Sequence, residues 1–434
     1  MIFRSSLVQA QWDTWCYSHN GTYYLYYLIT EHSPGEGFGV ATSTDGVHWA
    51  DHGWALRASD SMVHFLGTGS LWKAVDFAES ERFICNYSEW RLDPTGRRTQ
   101  NILFAWSEDL IHWTKFGDET LFPVDTRFYE RYGRWDCIFA IPRTEGGYWG
   151  TWTATPNGRE SLEGGIGLGY SEDGLHWQAL PAPPVTPDTD ESGAFHCFGD
   201  RTGGQVHAMF GKWYTGMVAY RADRVQGHYR EGKAGDPLLQ KRHTYFSRYF
   251  DTPEGILINH HSMDGRKIES GRVITYAAPF KRFTVDSEGI QRWTWWEGNE
   301  ALKGEPVDTA YPVDLQQGVV IEADLDLGDG GNSHANFDVD GNMCSITVAA
   351  DGQVRFSNLA APEEWQRNHA VDREIAFGKQ VHLRMLARRG MLELYANELF
   401  MECWTMGCPH GRGLRLVTEQ VRPTEEVRMW KMSL

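Results

Sequence analysis

Through the first 300 residues, short runs rich in aromatic and β-branched residues alternate with clusters of Ser, Asp, Gly and Asn. No helical 3.6-residue stripe is sustained, so the pattern predicts strands joined by turns. The runs that stand out are 22–28 (TYYLYYL), 82–87 (RFICNY), 148–153 (YWGTWT), 206–210 (VHAMF) and 255–259 (GILIN). Between them one motif recurs: Ser43-Thr-Asp45-Gly-Val-His48-Trp49, Ser107-Glu-Asp109-Leu-Ile-His112-Trp113 and Ser171-Glu-Asp173-Gly-Leu-His176-Trp177. All three read S-x-D-x-x-H-W, and their aspartates stand 64 residues apart. A fixed period of that length, with several short strands per unit, suits the blades of a β-propeller. Five strand groups before residue 300 predict five blades. One active site has no use for three copies of a motif, so these are expected to be structural, Asp capping a turn and Trp wedging between blades.

The pattern changes after Trp296. A polar stretch over 297–310 reads as a linker. From 311 to 434, strands such as 318–325, 380–386 and 391–396 alternate apolar and polar residues, as antiparallel sheets with one buried face do. The expected fold class is all-β: a propeller over 1–296, a linker over 297–310 and a β-sandwich over 311–434.

Composition narrows the function. A net charge of −17 excludes the basic surface that nucleic acid or an anionic membrane requires. No stretch approaches the roughly 20 apolar residues of a membrane span, and MIFRSSLVQAQWD has no apolar signal core, so a cytoplasmic location is expected. Seven cysteines, Cys16, Cys85, Cys137, Cys197, Cys344, Cys403 and Cys408, show no CxxC spacing and read as free thiols. Nineteen tryptophans, 18 tyrosines and 21 phenylalanines supply flat faces suited both to sheet cores and to stacking on sugar rings.

Cleavage of a glycosidic bond needs two carboxyl groups flanking it. In a propeller the innermost strands face a central channel, so acidic residues beside aromatics at those strands are the candidates. Asp13 lies between Trp12 and Trp15 ahead of a Tyr-rich run, and Asp136 follows Arg134 and Trp135 ahead of another strand. Arg134 is placed to bind substrate or to keep Asp136 ionised. Trp12, Trp72, Trp135, Glu89, His260 and His261 are secondary substrate-binding candidates. As neighbours on a strand, His260 and His261 point to opposite faces, so at most one faces the channel, where it would bind substrate or an axial metal.

The order of these features resembles glycoside hydrolase family 32 and its propeller relatives in families 43, 68 and 117. Trp-Asp precedes a Tyr-rich strand, Arg-x-Asp follows in the third blade, and a sandwich ends the chain. Residues 65–72 (FLGTGSLW) are similar to a second-blade Gly-Ser motif of family 32, and 383–399 to its sandwich strands. The resemblance implies that Asp13 is the nucleophile or base and Asp136 the carboxylate that stabilises the transition state. For the family's Glu-Cys pair in the fourth blade the best match is His196-Cys197. Either His196 donates the proton, as a histidine does in family 117, or Glu191 has taken over that task. A histidine suits it through its pKa near neutrality, whereas a glutamate needs burial to raise its own.

Asp13-Thr-Trp-Cys stands where family 32 has Asp-Pro-Asn-Gly, and Arg134-Trp-Asp136-Cys137 where it has Arg-Asp-Pro. The expected activity is hydrolysis of a terminal furanosyl unit, fructosyl or arabinofuranosyl, from a small carbohydrate. A pyranoside or anhydro-sugar substrate and a non-catalytic sugar-binding propeller are the alternatives. No basic cluster suits a phosphorylase. No cofactor or bound metal, and no nucleic-acid or membrane partner, is expected; self-association is left open.

Overall fold

The computed structural model describes the chain apart from residues 31–35, 60–63, 68, 160–163, 199–204, 213–214, 241–242, 269–270, 329–330, 359–368, 407–411 and 418–426. It is all-β, and among the described residues no helix is long and apolar enough to cross a membrane. Cys408 and Thr68 of the FLGTGSLW segment lie outside the described residues.

Five antiparallel sheets follow one another before residue 296, and their first long strands are Gln11–His19, His64–Gly67, Trp135–Pro142, Thr189–Phe198 and Thr244–Thr252. Every run singled out in the sequence falls on a strand, but on the one after these: Thr22–Thr30, Phe83–Leu92, Tyr148–Ala154, Gln205–Lys212 and Gly255–Lys267. The strands that open the sheets are less uniformly apolar. The reason is visible in their packing, because they carry the polar groups that meet at the centre.

Each sheet is tied to the next, and the fifth returns to the first. The Tyr26 hydroxyl of the first sheet donates to the Leu110 carbonyl at the second, 2.6 Å. Asn86 of the second sheet donates to the Ile138 carbonyl of the third and accepts from its N–H, at 2.8 and 2.9 Å. The Thr151 and Ser192 hydroxyls join third and fourth at 3.0 Å, Arg248 of the fifth donates to the Ser192 carbonyl at 3.2 Å, and Asn259 of the fifth donates to the Thr14 carbonyl of the first at 2.9 Å. Buried polar groups are costly unless paired, so these bonds tie each sheet to the next and the fifth to the first.

The S-x-D-x-x-H-W motifs close hairpins, in three nearly identical geometries. Asp109 Oδ1 accepts the backbone N–H groups of Ile111 and His112 at 2.9 and 2.8 Å, its Oδ2 meets His112 Nδ1 at 2.7 Å, and Ser107 Oγ accepts from Leu110. Asp45 and Asp173 do the same with His48 and His176. The motif tryptophans are wedges between sheets: Trp113 packs on Tyr26 and Phe38 of the first sheet, Trp177 on Trp72 of the second, and Trp49 on Phe280 of the fifth.

The segment expected as a linker is folded instead. Glu297–Leu302 is a short 3-10 helix that buries Asn299 and Leu302, and Lys303–Pro306 pairs with the last strand, Arg428–Met432. The fifth sheet runs on into the C-terminal region, where Thr294 faces Leu399, giving an eleven-stranded sheet. Its C-terminal half faces a six-stranded sheet across a core that includes Val319, Phe337, Leu392 and Trp404. The join contains buried charge: Lys281 lies 2.9 Å from both carboxylate oxygens of Glu393, which also accepts from the Tyr395 hydroxyl at 2.5 Å.

Candidate active site

All five opening strands lose register with their neighbours; in four the shift lies near one end, between Trp12 and Thr14, Asp136 and Phe139, Thr189 and Glu191, and Tyr245 and Arg248, and in His64–Gly67 it lies between Phe65 and Gly67. A β-bulge bends a strand and re-aims its side chains, and such bulges concentrate beside active sites. Here they turn Asp13, Asp136, Glu191 and Arg248 towards one place. Cys137, in the third-sheet bulge, takes a φ of 63°, and Phe246, in the fifth, one of 58°. Both backbones are in the region that costs a non-glycine residue free energy, so the surrounding packing must hold them there.

Three carboxyl groups and two guanidiniums meet. Arg134 donates from Nη2 to Asp136 Oδ2 at 3.3 Å and to Glu191 Oε1 at 3.1 Å, bridging the third and fourth sheets. Gln100 adds a bond to Asp136 Oδ2 at 2.9 Å, and the Tyr245 hydroxyl donates to Glu191 Oε2 at 2.5 Å. Burial works against the Arg134 charge, but Asp136 and Glu191 outweigh it and hold the guanidinium above its ordinary range. Asp13 is only 8% exposed. Burial first, then the charges of Glu191 and Asp136 with Arg248 opposing, push its carboxyl up to about 7. Among the described residues, Asp13 Oδ1 and Asp136 Oδ1 are buried acceptors without a partner. A buried acceptor left unpaired costs about 1–3 kcal/mol, and a hydroxyl-rich ligand would relieve it.

Arg248 is 1% exposed and sits among Cys137, Asp13, Glu191 and Asp136, where burial pulls its charge below the ordinary range against their attraction. It donates to the carbonyls of Gly69, Ser192 and Gly193. Sequence reasoning missed Arg248, Tyr245 and Gln100. Arg248 did leave a signal, a lone cation within the otherwise aromatic run TYFSRYF, since a buried arginine demands anionic or carbonyl partners. Gln100 and Tyr245 left none.

The structure brings Asp13, Asp136, Arg134 and Glu191 together, and it corrects several other expectations. His196 does not join them: five residues past Glu191 on the same strand, it contacts Asp251 at 3.2 Å near the opposite end of the sheets. Glu191 is therefore the residue of that pair at the cluster. Trp72 is buried against Trp177, Phe104 and Tyr148, with its indole N–H on the Gly174 carbonyl, and is a contact between sheets. Trp135 is wholly buried among Phe122, Tyr129 and Trp152. Glu89 is wholly buried too, accepting from the Ser59 N–H and paired with Arg91 and Lys115.

The adjacent histidines do point to opposite faces. His260 turns to the C-terminal region, where its ring stands 5.8 Å from Phe400 and its Nε2 3.9 Å from Glu393. His261 turns to the site side, its ring 4.8 Å from Trp12 and 6.2 Å from Tyr245. Burial, with the N-terminal amine adding to it, pulls His261 down to about 3, so the imidazole is neutral at physiological pH. Among the described residues neither of its nitrogens has a hydrogen-bond partner.

Residues 13–199 match the family model described as Glycosyl hydrolases family 32 N-terminal domain. No curated protein matches the chain in sequence. Sucrose-6-phosphate hydrolase from Lactobacillus gasseri is 12% identical with a TM-score of 0.71, over 96% of this chain and 89% of that one. A Bombyx mori family 32 beta-fructofuranosidase is 11% identical with a TM-score of 0.69, over 96% and 90%. A beta-fructofuranosidase from Schwanniomyces occidentalis, in complex with fructosyl-erythritol, is 12% identical with a TM-score of 0.63, over 100% and 98%. Over residues 13–199, then, the chain is similar to the glycoside hydrolase family 32 N-terminal domain, and along nearly all its length it shares an all-β fold with family 32 structures.

Proposed function

We propose that this protein is a glycosidase that removes a terminal fructosyl unit from a small carbohydrate. The observation that carries the reading is the meeting of buried Asp13 and Asp136 with half-buried Glu191 from three separate sheets, with Arg134 bridging two of them. The family match over 13–199 and the fold shared with fructofuranosidases support it. On this reading the five sheets over 1–296 are blades of a propeller around the carboxylates, and 311–434 is a β-sandwich. A central pocket of that kind admits the end of a sugar chain, which is why exo-action follows.

The roles follow from position. Glu191, positioned by Arg134 and Tyr245, is placed to pass to the leaving oxygen, as the bond breaks, a proton that it must first take up, since in the free protein both its oxygens accept hydrogen bonds. Asp13, with one oxygen unpaired among the described residues, faces the anomeric carbon, where it either attacks as the nucleophile, water then releasing the sugar, or takes the proton of the water that attacks. Asp136, tied down through Oδ2 by Gln100 and Arg134, keeps Oδ1 free to bind sugar hydroxyls. His261 and Trp12 line the same side and contribute a neutral imidazole and a ring face.

Release of free sugar from a panel of aryl fructofuranosides, arabinofuranosides and pyranosides, with sucrose as a natural fructoside, tests the reading. Turnover of fructofuranosides, lost in Asp13→Asn, is expected. Turnover of pyranosides alone would overturn the fructosyl assignment, and no turnover of any member would overturn the enzyme.

A further inference from the structure

The opening strands have a second end, and a second cavity lies there. Its volume is about 160 Å³, and its wall includes Tyr17, Ser18, Ser70, Ala140, His196 and Asp251, with Arg248 between it and the carboxylates. On each strand these residues are displaced in the same direction from the site. Asp13 is followed by Ser18, Asp136 by Ala140, Glu191 by His196 and Tyr245 by Asp251. At about 3.3 Å per residue, the five steps from Glu191 to His196 put the far wall of the cavity up to roughly 16 Å from the carboxylates, while Trp15 and Arg248 line its near side. Asp13, Asp136, Glu191 and Arg134 are not in its lining, and Arg248, which it shares with their cluster, is its near wall.

We propose that this far cavity is a second binding site, for a neutral polyhydroxylated molecule the size of one sugar ring. A cavity of about 150 Å³ is enough to admit a six-membered ring. The lining pairs aromatic surface, from Trp15, Tyr17 and Tyr249, with short hydroxyls and the His196–Asp251 pair, 3.2 Å apart. That is an apolar wall with a few convergent polar groups, as small-molecule sites have. Arg248 also lines the cavity, and among the described residues its buried Nη2 makes no hydrogen bond. One cation, Arg248, and one carboxylate, Asp251, cancel in the lining, which favours hydroxyl oxygens over an anion or a cation. The proposal stands apart from the glycosidase reading, because its readout below needs no turnover.

Histidine-selective NMR tests it. The His196 ring signal, assigned by its disappearance in His196→Gln, is followed as D-glucose, D-fructose and sorbitol are titrated into the full chain. A saturable shift with at least one of the three is expected, and it should vanish in Ala140→Phe, which fills the cavity. Ser18→Phe, filling the opposite wall, serves if Ala140→Phe does not fold. The proposal falls if no polyol shifts His196 up to the solubility of the protein–sugar mixture, if the shift survives filling of the cavity, or if inorganic phosphate shifts it and polyols do not.

Discussion

Replacing Asp13 with Asn should make this protein more stable at alkaline pH while removing its activity. An isolated aspartate ionises near 3.8, whereas burial and the neighbouring carboxylates push Asp13 up to about 7. Between those values the native chain keeps a proton that the unfolded chain has released. Stability conferred by the neutral carboxyl is thus fully present below about 3.8, falls as pH rises through the window, and is gone above about 7. A separation of about three pH units corresponds to about 4 kcal/mol at pH 8. Asparagine never ionises and avoids that cost, but its amide hydrogens enter a buried place where an unpaired donor costs about 1–3 kcal/mol. The net expectation is a gain of about 2 kcal/mol at pH 8, shrinking towards pH 4 to nothing or to a small loss. Urea melts of wild type and Asp13→Asn at the two pH values measure it. If the variant's stability relative to wild type is the same at both, the buried-charge reasoning is wrong, whichever protein is the more stable. Such a cost, tolerated in the folded state, is what a functional carboxylate placed away from water would be expected to carry.

If Asp13 must be ionised to act, kcat/KM on a fructoside should rise with pH through about 7, and a profile flat between pH 5 and 8 would count against that role. Glu191→Gln should lose far more rate on substrates with poor leaving groups than on activated aryl glycosides, and His196→Gln should show no such dependence; the reverse pattern would return the proton donor to His196. Lys281→Met would leave Glu393 buried without its cation where the fifth sheet meets the C-terminal region, and urea melts at neutral pH should record a loss of about 3–5 kcal/mol. A loss under about 1 kcal/mol would mean that Tyr395 and His260 suffice to hold that carboxylate.

Much of the fold was legible because it repeats. A local rule wrote the S-x-D-x-x-H-W hairpin three times: Asp accepts the next turn's N–H groups and Trp follows at a fixed offset, so spacing alone exposed the unit. Runs rich in aromatic and β-branched residues likewise marked the second strand of each of the first five sheets, and alternation of apolar and polar residues marked strands after residue 311. Asp13, Asp136 and Arg134 stood out as charges set among aromatics, and they meet in the structure.

What the sequence left open depended on contacts between sheets. Whether Glu191 or His196 reaches the cluster turns on which end of one strand faces it, and bulges decide that without a local sequence signature. Trp72, Trp135 and Glu89 looked like site residues because a tryptophan or glutamate reads alike whether its partner is a sugar or another sheet. Only the packing gave them Trp177, Phe122 and Lys115 as partners. The polar stretch after Trp296 read as a linker, since its pairing strand, Arg428–Met432, lies more than a hundred residues further on. Periodicity and turn chemistry are local and survive in the sequence. The partner of a buried charge is set by strands far apart in the chain, and only the tertiary structure decides it.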